Sequence, residues 1–250
     1  MKTFEGLALG AILASVSATA FGQDEMPIFP VEAFGCTYAG DSDRGDLDRA
    51  FDGFNDWADE QGITNLTSLL LTPQFFSSEL GYDVVGMDIW EDGAAFGSGL
   101  SGMMSDPDAL ASFDGVVDCA SHSLYALVGV KPPAEESPNK GIFEFTDCWI
   151  KENRSPDDGI AAVAAIAGMT ASWNVGDAYG VLFNVAGETG DADYTFKWLS
   201  YYPSYEAFGS VFDHYAAGAV QQADAIIDPV MTCNSSRMFD MEVMRESEAN

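Results

Sequence analysis

Ala95-Phe96-Gly97-Ser98 recurs as Ala207-Phe208-Gly209-Ser210, and laying the second half of the chain on the first at that offset, about 112 residues, aligns several further anchors. Cys36 falls on Cys148 and Tyr82 on Tyr194, and with a two-residue slip Cys119 falls on Cys233. All four cysteines of the chain are matched in this way. The sequence is therefore an internal duplication, and each copy can be read against the other.

The first copy opens with a strand-like run, Phe29 to Tyr38, followed by a helix from Asp46 to Gln61 whose Leu47, Phe51, Phe54 and Ala58 share one face. Leu66 to Phe76 and Tyr82 to Trp90 are β-rich runs about the hairpin signal Ser77 to Gly81. A helical region from Ala94 to about Val117 breaks near Asp106-Pro107, and His122 to Val130 closes the copy. The second copy offers strands at Ile142 to Lys151, Tyr179 to Ala186, Tyr194 to Tyr202 and Arg237 to Arg245, with helices at Asp157 to Thr170 and Tyr205 to Ile227. Each copy reads βαββαβ, which predicts an α+β fold of two tandem ferredoxin-like units, 23–130 and 142–250. The joint at 131–141 carries Pro132-Pro133 and Pro138 and reads as a linker.

In such a unit the first and last strands are antiparallel neighbours, so Cys36 can reach Cys119 and Cys148 can reach Cys233. The duplication selects this pairing of the three possible, the alternative being four buried thiols. Each bridge would close a loop worth on the order of 4 kcal/mol in chain entropy.

Met1-Lys2, the apolar run Gly6 to Ala20 and the small residues before Gln23 read as a secretory signal peptide over 1–22, cleaved after Gly22 or Ala20. A periplasmic or secreted location follows, and it favours disulfides. Forty acidic residues against ten basic ones leave a formal charge of −30. Such a surface excludes phosphate-backbone binding and suits a saline exterior such as a marine periplasm, or else a cation- or polycation-binding role.

Tandem βαββαβ copies resemble the dimeric α/β-barrel superfamily, which includes antibiotic-biosynthesis monooxygenases and EthD-like and NIPSNAP-like proteins. The resemblance spans nearly all of the chain after the leader and rests on topology and repeat. It implies a pseudo-dimeric α/β barrel in one chain, a monomer, and a site for a small, often aromatic molecule between sheet and helices. It also implies haem as a cofactor in some members, with His214 as the residue of this chain placed to ligate it.

No catalytic motif names a reaction. Gly97-Ser98-Gly99-Leu100-Ser101-Gly102 matches the dinucleotide fingerprint in letters but lies inside a helix, so it reads as close helix-to-sheet packing. Asp41, Asp43 and Asp46 form a weak Ca²⁺ candidate that departs from the EF-hand spacing, with helix capping as the other reading. No metal is expected from the pair His122 and His214. In the second copy Trp198 and Tyr202 alternate on one strand face while Lys197 and Tyr201 share the other. The first copy has Gly86, Asp88 and Trp90 at the matching positions, so one unit is expected to hold a cavity that the other fills. The candidate ligand residues are thus Asp88, Trp90, Lys197, Trp198, Tyr201, Tyr202 and His214. The reading is an exported, acidic, soluble protein that binds a small apolar or aromatic ligand or a protein partner without catalysis or a resident cofactor, the alternative being a periplasmic monooxygenase-like or haem-binding enzyme of the dimeric α/β-barrel type.

Overall fold

A computed structural model describes residues 26–77, 80–134, 137–187 and 193–248. The signal-peptide segment lies outside them.

Nine strands and their helices follow one another as β1 (Ile28–Tyr38), α1 (Arg44–Glu60), β2 (Leu66–Phe75), β3 (Val84–Trp90), α2 (Gly93–Ser105), β4 (Val117–Lys131), β5 (Lys140–Ile150), α3 (Pro156–Thr170), β6 (Ala178–Ala186), β7 (Phe196–Tyr202), α4 (Tyr205–His214), α5 (Val220–Ile227), β8 (Met231–Cys233) and β9 (Arg237–Arg245). The helices start where side chains satisfy their first amides. Asp43 caps α1 and Ser155 caps α3, each in a reciprocal capping box, while Asp92 and Ser204 cap α2 and α4.

Several boundaries differ from the sequence reading: α2 ends at Ser105, and of the helical continuation expected to about Val117 only a 3-10 turn at Ala111–Phe113 forms. β4 begins at Val117, five residues before His122, because pairing with β1 runs on past a bulge at Gly35/Cys36 to join Tyr38 to Val117. The helix expected from Tyr205 to Ile227 is interrupted at Tyr215–Ala219, where Gly218 takes a φ of 105° that a glycine adopts without a Cβ penalty. The single closing strand expected in the second half is preceded by β8, which carries Cys233 against Cys148.

All strand pairs are antiparallel. Within the first half they run in the order β4-β1-β3-β2, and within the second in the order β9-β5-β7-β6. The β2–β9 and β4–β6 pairs join the halves, and eight strands close into a barrel. Alternation along each strand sends one set of side chains inward and the other toward the helices. The inward set, including Val31, Leu69, Leu127, Leu182 and Phe239, forms the central core. The outward set packs under α1 and α2 in the first half and under α3 and α5 in the second. Disulfides join Cys36 to Cys119 and Cys148 to Cys233, as the duplication predicts.

Candidate functional site

β1 turns Glu32, Phe34 and Cys36 toward the helices, and β3 turns Val84, Gly86, Asp88 and Trp90 the same way. The β1–β3 register sets Glu32 opposite Asp88 and Phe34 opposite Gly86, and β2 sets Ser68 on the other side of Asp88. A polar row of Ser68, Asp88 and Glu32 therefore crosses three adjacent strands beneath an apolar helical cover. Above it lies a cavity of about 290 Å³, floored by Gly86, Asp88 and His122 and walled by Leu47, Phe51 and Phe54 from α1, Leu100 and Met103 from α2, and Phe113.

Glu32 is buried, at 2% exposure, and both of its oxygens are engaged. The Trp90 indole N–H donates to one at 3.0 Å, and His122 Nε2 lies 2.8 Å from the other. His122 is half exposed and stacks on Phe34 with 4.1 Å between ring centroids. Asp88 is in a different state. Burial drives its carboxyl up to about 7, with the Ser68 hydroxyl pulling back and the Glu32 carboxylate adding to the rise. A carboxyl with that value in a cleft exchanges protons at neutral pH, as an acid–base group requires.

Trp90 explains a glycine. A Cβ on Gly99 of α2 would meet the Trp90 ring at 2.0 Å, so this glycine of the Gly-rich hexapeptide permits close packing of helix on sheet. At Gly97 and Gly102 an added Cβ meets nothing within 4 Å, so packing does not require them.

The second half keeps the register and changes the residues. Glu144 pairs opposite Ser200 and Thr146 opposite Trp198, the same offsets as Glu32–Asp88 and Phe34–Gly86. Trp198 stands where Gly86 leaves room, packed 6.3 Å from the Tyr179 ring. Burial also raises the Glu144 carboxyl, opposed by the Ser236 hydroxyl.

The sequence-derived candidates fall in separate places. Asp88 and Trp90 belong to the cavity just described. Trp198 and Tyr202 face the helices of the second half, Tyr202 packing on Phe208 at 5.3 Å. Lys197 and Tyr201 point into the barrel, where Lys197 reaches Asp147 at 3.0 Å and Tyr201 is buried in the central core. His214 lies flat on Trp173, 4.3 Å between centroids, away from these positions. Of the calcium candidates, Asp43 accepts the Gly45 and Asp46 amides, and Asp46 accepts the Asp43 amide and pairs with Arg49. No cluster of three or more His, Cys, Asp or Glu side chains suited to a metal ion occurs among the described residues.

Sequence reasoning passed over Glu32 and Ser68. The signal was present in the duplication, because Glu32 and Glu144 occupy equivalent helix-facing positions in strands that are otherwise largely apolar.

No family model and no curated protein sequence matches the chain. Solved structures do. A protein described as a monooxygenase from Lactobacillus acidophilus superposes with a TM-score of 0.56 at 12% identity, over 90% of this chain and 98% of that one. Another so described, from Fusobacterium nucleatum, gives 0.52 at 10% identity over 91% and 97%. A haem-binding protein from Thermus thermophilus gives 0.51 at 9% identity over 90% and 95%. The chain shares with these structures the fold of a closed antiparallel β-barrel flanked by helices. Within this barrel, the Asp88 cavity lies between one half's sheet and its helices, and the closed strand ring leaves a second compartment at the centre.

Proposed function

We propose that this protein binds a small, largely apolar molecule bearing an aromatic ring beneath α1 and α2, and that Asp88 exchanges a proton with it. The observation that carries the reading is a carboxyl poised near 7 on the floor of a cavity with apolar and aromatic walls. The cavity volume, about 290 Å³, is at the small end of ligand pockets, which suits a molecule of one or two rings. Phe34, Phe51, Phe54 and Phe113 offer edges and faces to such a ring. Glu32, held by Trp90 and His122, keeps a second carboxylate beside Asp88 and so sustains its raised value.

The neighbours' names include monooxygenase and haem-binding proteins, and the residues here do not fit haem. Two acidic residues and, among the described residues, no Lys or Arg line the cavity, an unfavourable wall for a group with two carboxylate arms. His122 is engaged by Glu32, and His214 is stacked on Trp173. No step is routed through haem.

We read each half as a ferredoxin-like unit, supported by the repeated pairing order, and the chain as a monomer, supported by barrel closure within one chain. Export to a saline compartment is supported by the two disulfides and the charge of −30.

The test is titration with N-phenylnaphthylamine, a neutral aromatic dye. Wild type should bind it with enhanced fluorescence, and Gly86→Trp, which copies the second half's ring, should weaken binding by at least about tenfold. An infrared band of a protonated carboxyl should titrate near 7, shift with dye, and vanish in Asp88→Asn. Equal dye affinity in Gly86→Trp would sink the reading.

A further inference from the structure

The barrel interior contains a larger cavity, of about 460 Å³, on the opposite face of the strands from Asp88, with His122 as the one described residue that lines both. Leu71, Val85, Met87, Phe145 and Phe239 supply an apolar wall, and Lys197 and Arg237 supply charge at one end. Both cations are fixed by one carboxylate oxygen. Asp147 Oδ1 lies 3.0 Å from Lys197 Nζ and 2.7 Å from Arg237. Asp147 is in turn tied to Asn234, whose side-chain carbonyl accepts the Asp147 amide at 3.0 Å. Burial works against the Asp147 charge, but Lys197 and Arg237 outweigh it and hold the carboxyl below its ordinary value. The three groups are therefore a charged, pre-positioned cluster rather than a neutral one.

The signs of the two cavities are opposite. Glu32 and Asp88 line the outer one, whereas no Asp or Glu is among the described residues lining the inner one, where Lys197 and Arg237 stand. The hydroxyl-bearing residues Tyr82 and Ser121 line the same inner space. A pocket with apolar walls and a pre-positioned Arg–Lys pair recognises an anionic head on an apolar body.

We propose that the barrel interior is a second ligand site, separate from the Asp88 cavity, that takes a small organic anion with its carboxylate or sulfonate head on Arg237 and Lys197. The overall charge of −30 opposes anion binding at the surface, so a retained anion reports a local positive site.

The probe is anilinonaphthalene sulfonate, compared with neutral N-phenylnaphthylamine. Wild type should bind the sulfonate. Arg237→Gln should weaken it by at least about tenfold, the loss expected for one charge-assisted hydrogen bond, and leave the neutral dye unaffected. Arg237→Lys keeps the charge and should retain most of the sulfonate affinity, while Gly86→Trp should remove the neutral dye and spare the sulfonate. This crossed pattern separates the two sites, so failure of the outer-cavity reading leaves the sulfonate result standing. No sulfonate binding by wild type, no loss in Arg237→Gln, or equal loss of both dyes in that variant overturns the proposal.

Discussion

The two halves share a backbone plan and differ in what stands on it. At equivalent positions the first half has Gly86, Asp88 and Trp90, and the second has Trp198, Ser200 and Tyr202, in matching registers opposite β1 and β5. One substitution opens space, the next puts a carboxyl on its floor, and the third changes what the covering helix must accommodate. A duplicated scaffold thus keeps one copy as packed core while the other holds a cavity. The predictions below probe where the halves should behave alike and where they should part.

The largest effect should be one they share. Cys36–Cys119 and Cys148–Cys233 close loops of similar length, 83 and 85 residues apart in sequence. Replacing either pair with Ala should cost on the order of 4 kcal/mol in denaturant unfolding, with the two costs close to each other. A large inequality would mean that one half keeps more structure when unfolded than the other.

Next comes the ring that distinguishes them. Trp198→Gly should destabilise by about 3 kcal/mol, the cost of deleting a large packed ring, and should create an apolar void under the second half's helices. If that variant gains affinity for a neutral aromatic dye, the space left at residue 86 is sufficient to make a pocket. If it does not, Asp88 and the α1–α2 cover are also needed.

The carboxyl itself gives a pH signature. Asp88 is raised from 3.8 to about 7 in the folded state, so the folded protein keeps a proton that the unfolded chain has lost. Its contribution is therefore greatest at low pH, and stability falls as pH rises between these values, by up to about 1.4 kcal/mol per pH unit. Asp88→Asn should lack that slope, so the slope should appear as the difference between the two proteins' stability profiles. Ser200→Asp, facing Glu144, should introduce a similar slope in the second half. Parallel profiles for wild type and Asp88→Asn would contradict the raised value.

How much of this could be read beforehand depends on the kind of signal. The strand and helix order followed from periodicity and from one copy checking the other, and the cysteine pairing followed from that order, because strands β1 and β4 must be neighbours for Cys36 to meet Cys119. The Gly86/Trp198 contrast was legible for the same reason, since a duplication makes an omission visible. What was not legible depended on long-range placement. His214 lies beside aromatic residues in sequence, but its partner, Trp173, comes from the segment after α3. The alternation that separates Lys197 from Trp198 was read from the sequence, but not which of the two faces is the barrel interior. Glu32 was hidden because a lone glutamate in a strand gives no sign that its partners, Trp90 and His122, arrive from two other strands.

The smallest effects concern α2. Trp90 lies against Gly99 in the first half, whereas in the second the equivalent pair is Tyr202 and Val211, packed in one cluster. The larger ring goes with the smaller helix residue and the smaller ring with the larger, which is how a helix holds its distance from a sheet when volume is exchanged across the interface. Gly99→Ala should accordingly destabilise by about 1–3 kcal/mol through overpacking, and adding Trp90→Tyr should recover part of the loss. Gly97→Ala and Gly102→Ala meet open space and should instead stabilise by about 0.5–1 kcal/mol through helix propensity. Thermal melts of the single and double variants measure both. Purely additive losses in the Trp90→Tyr/Gly99→Ala double variant would show that the exchange of volume between ring and helix is a coincidence of the alignment rather than a feature of the packing.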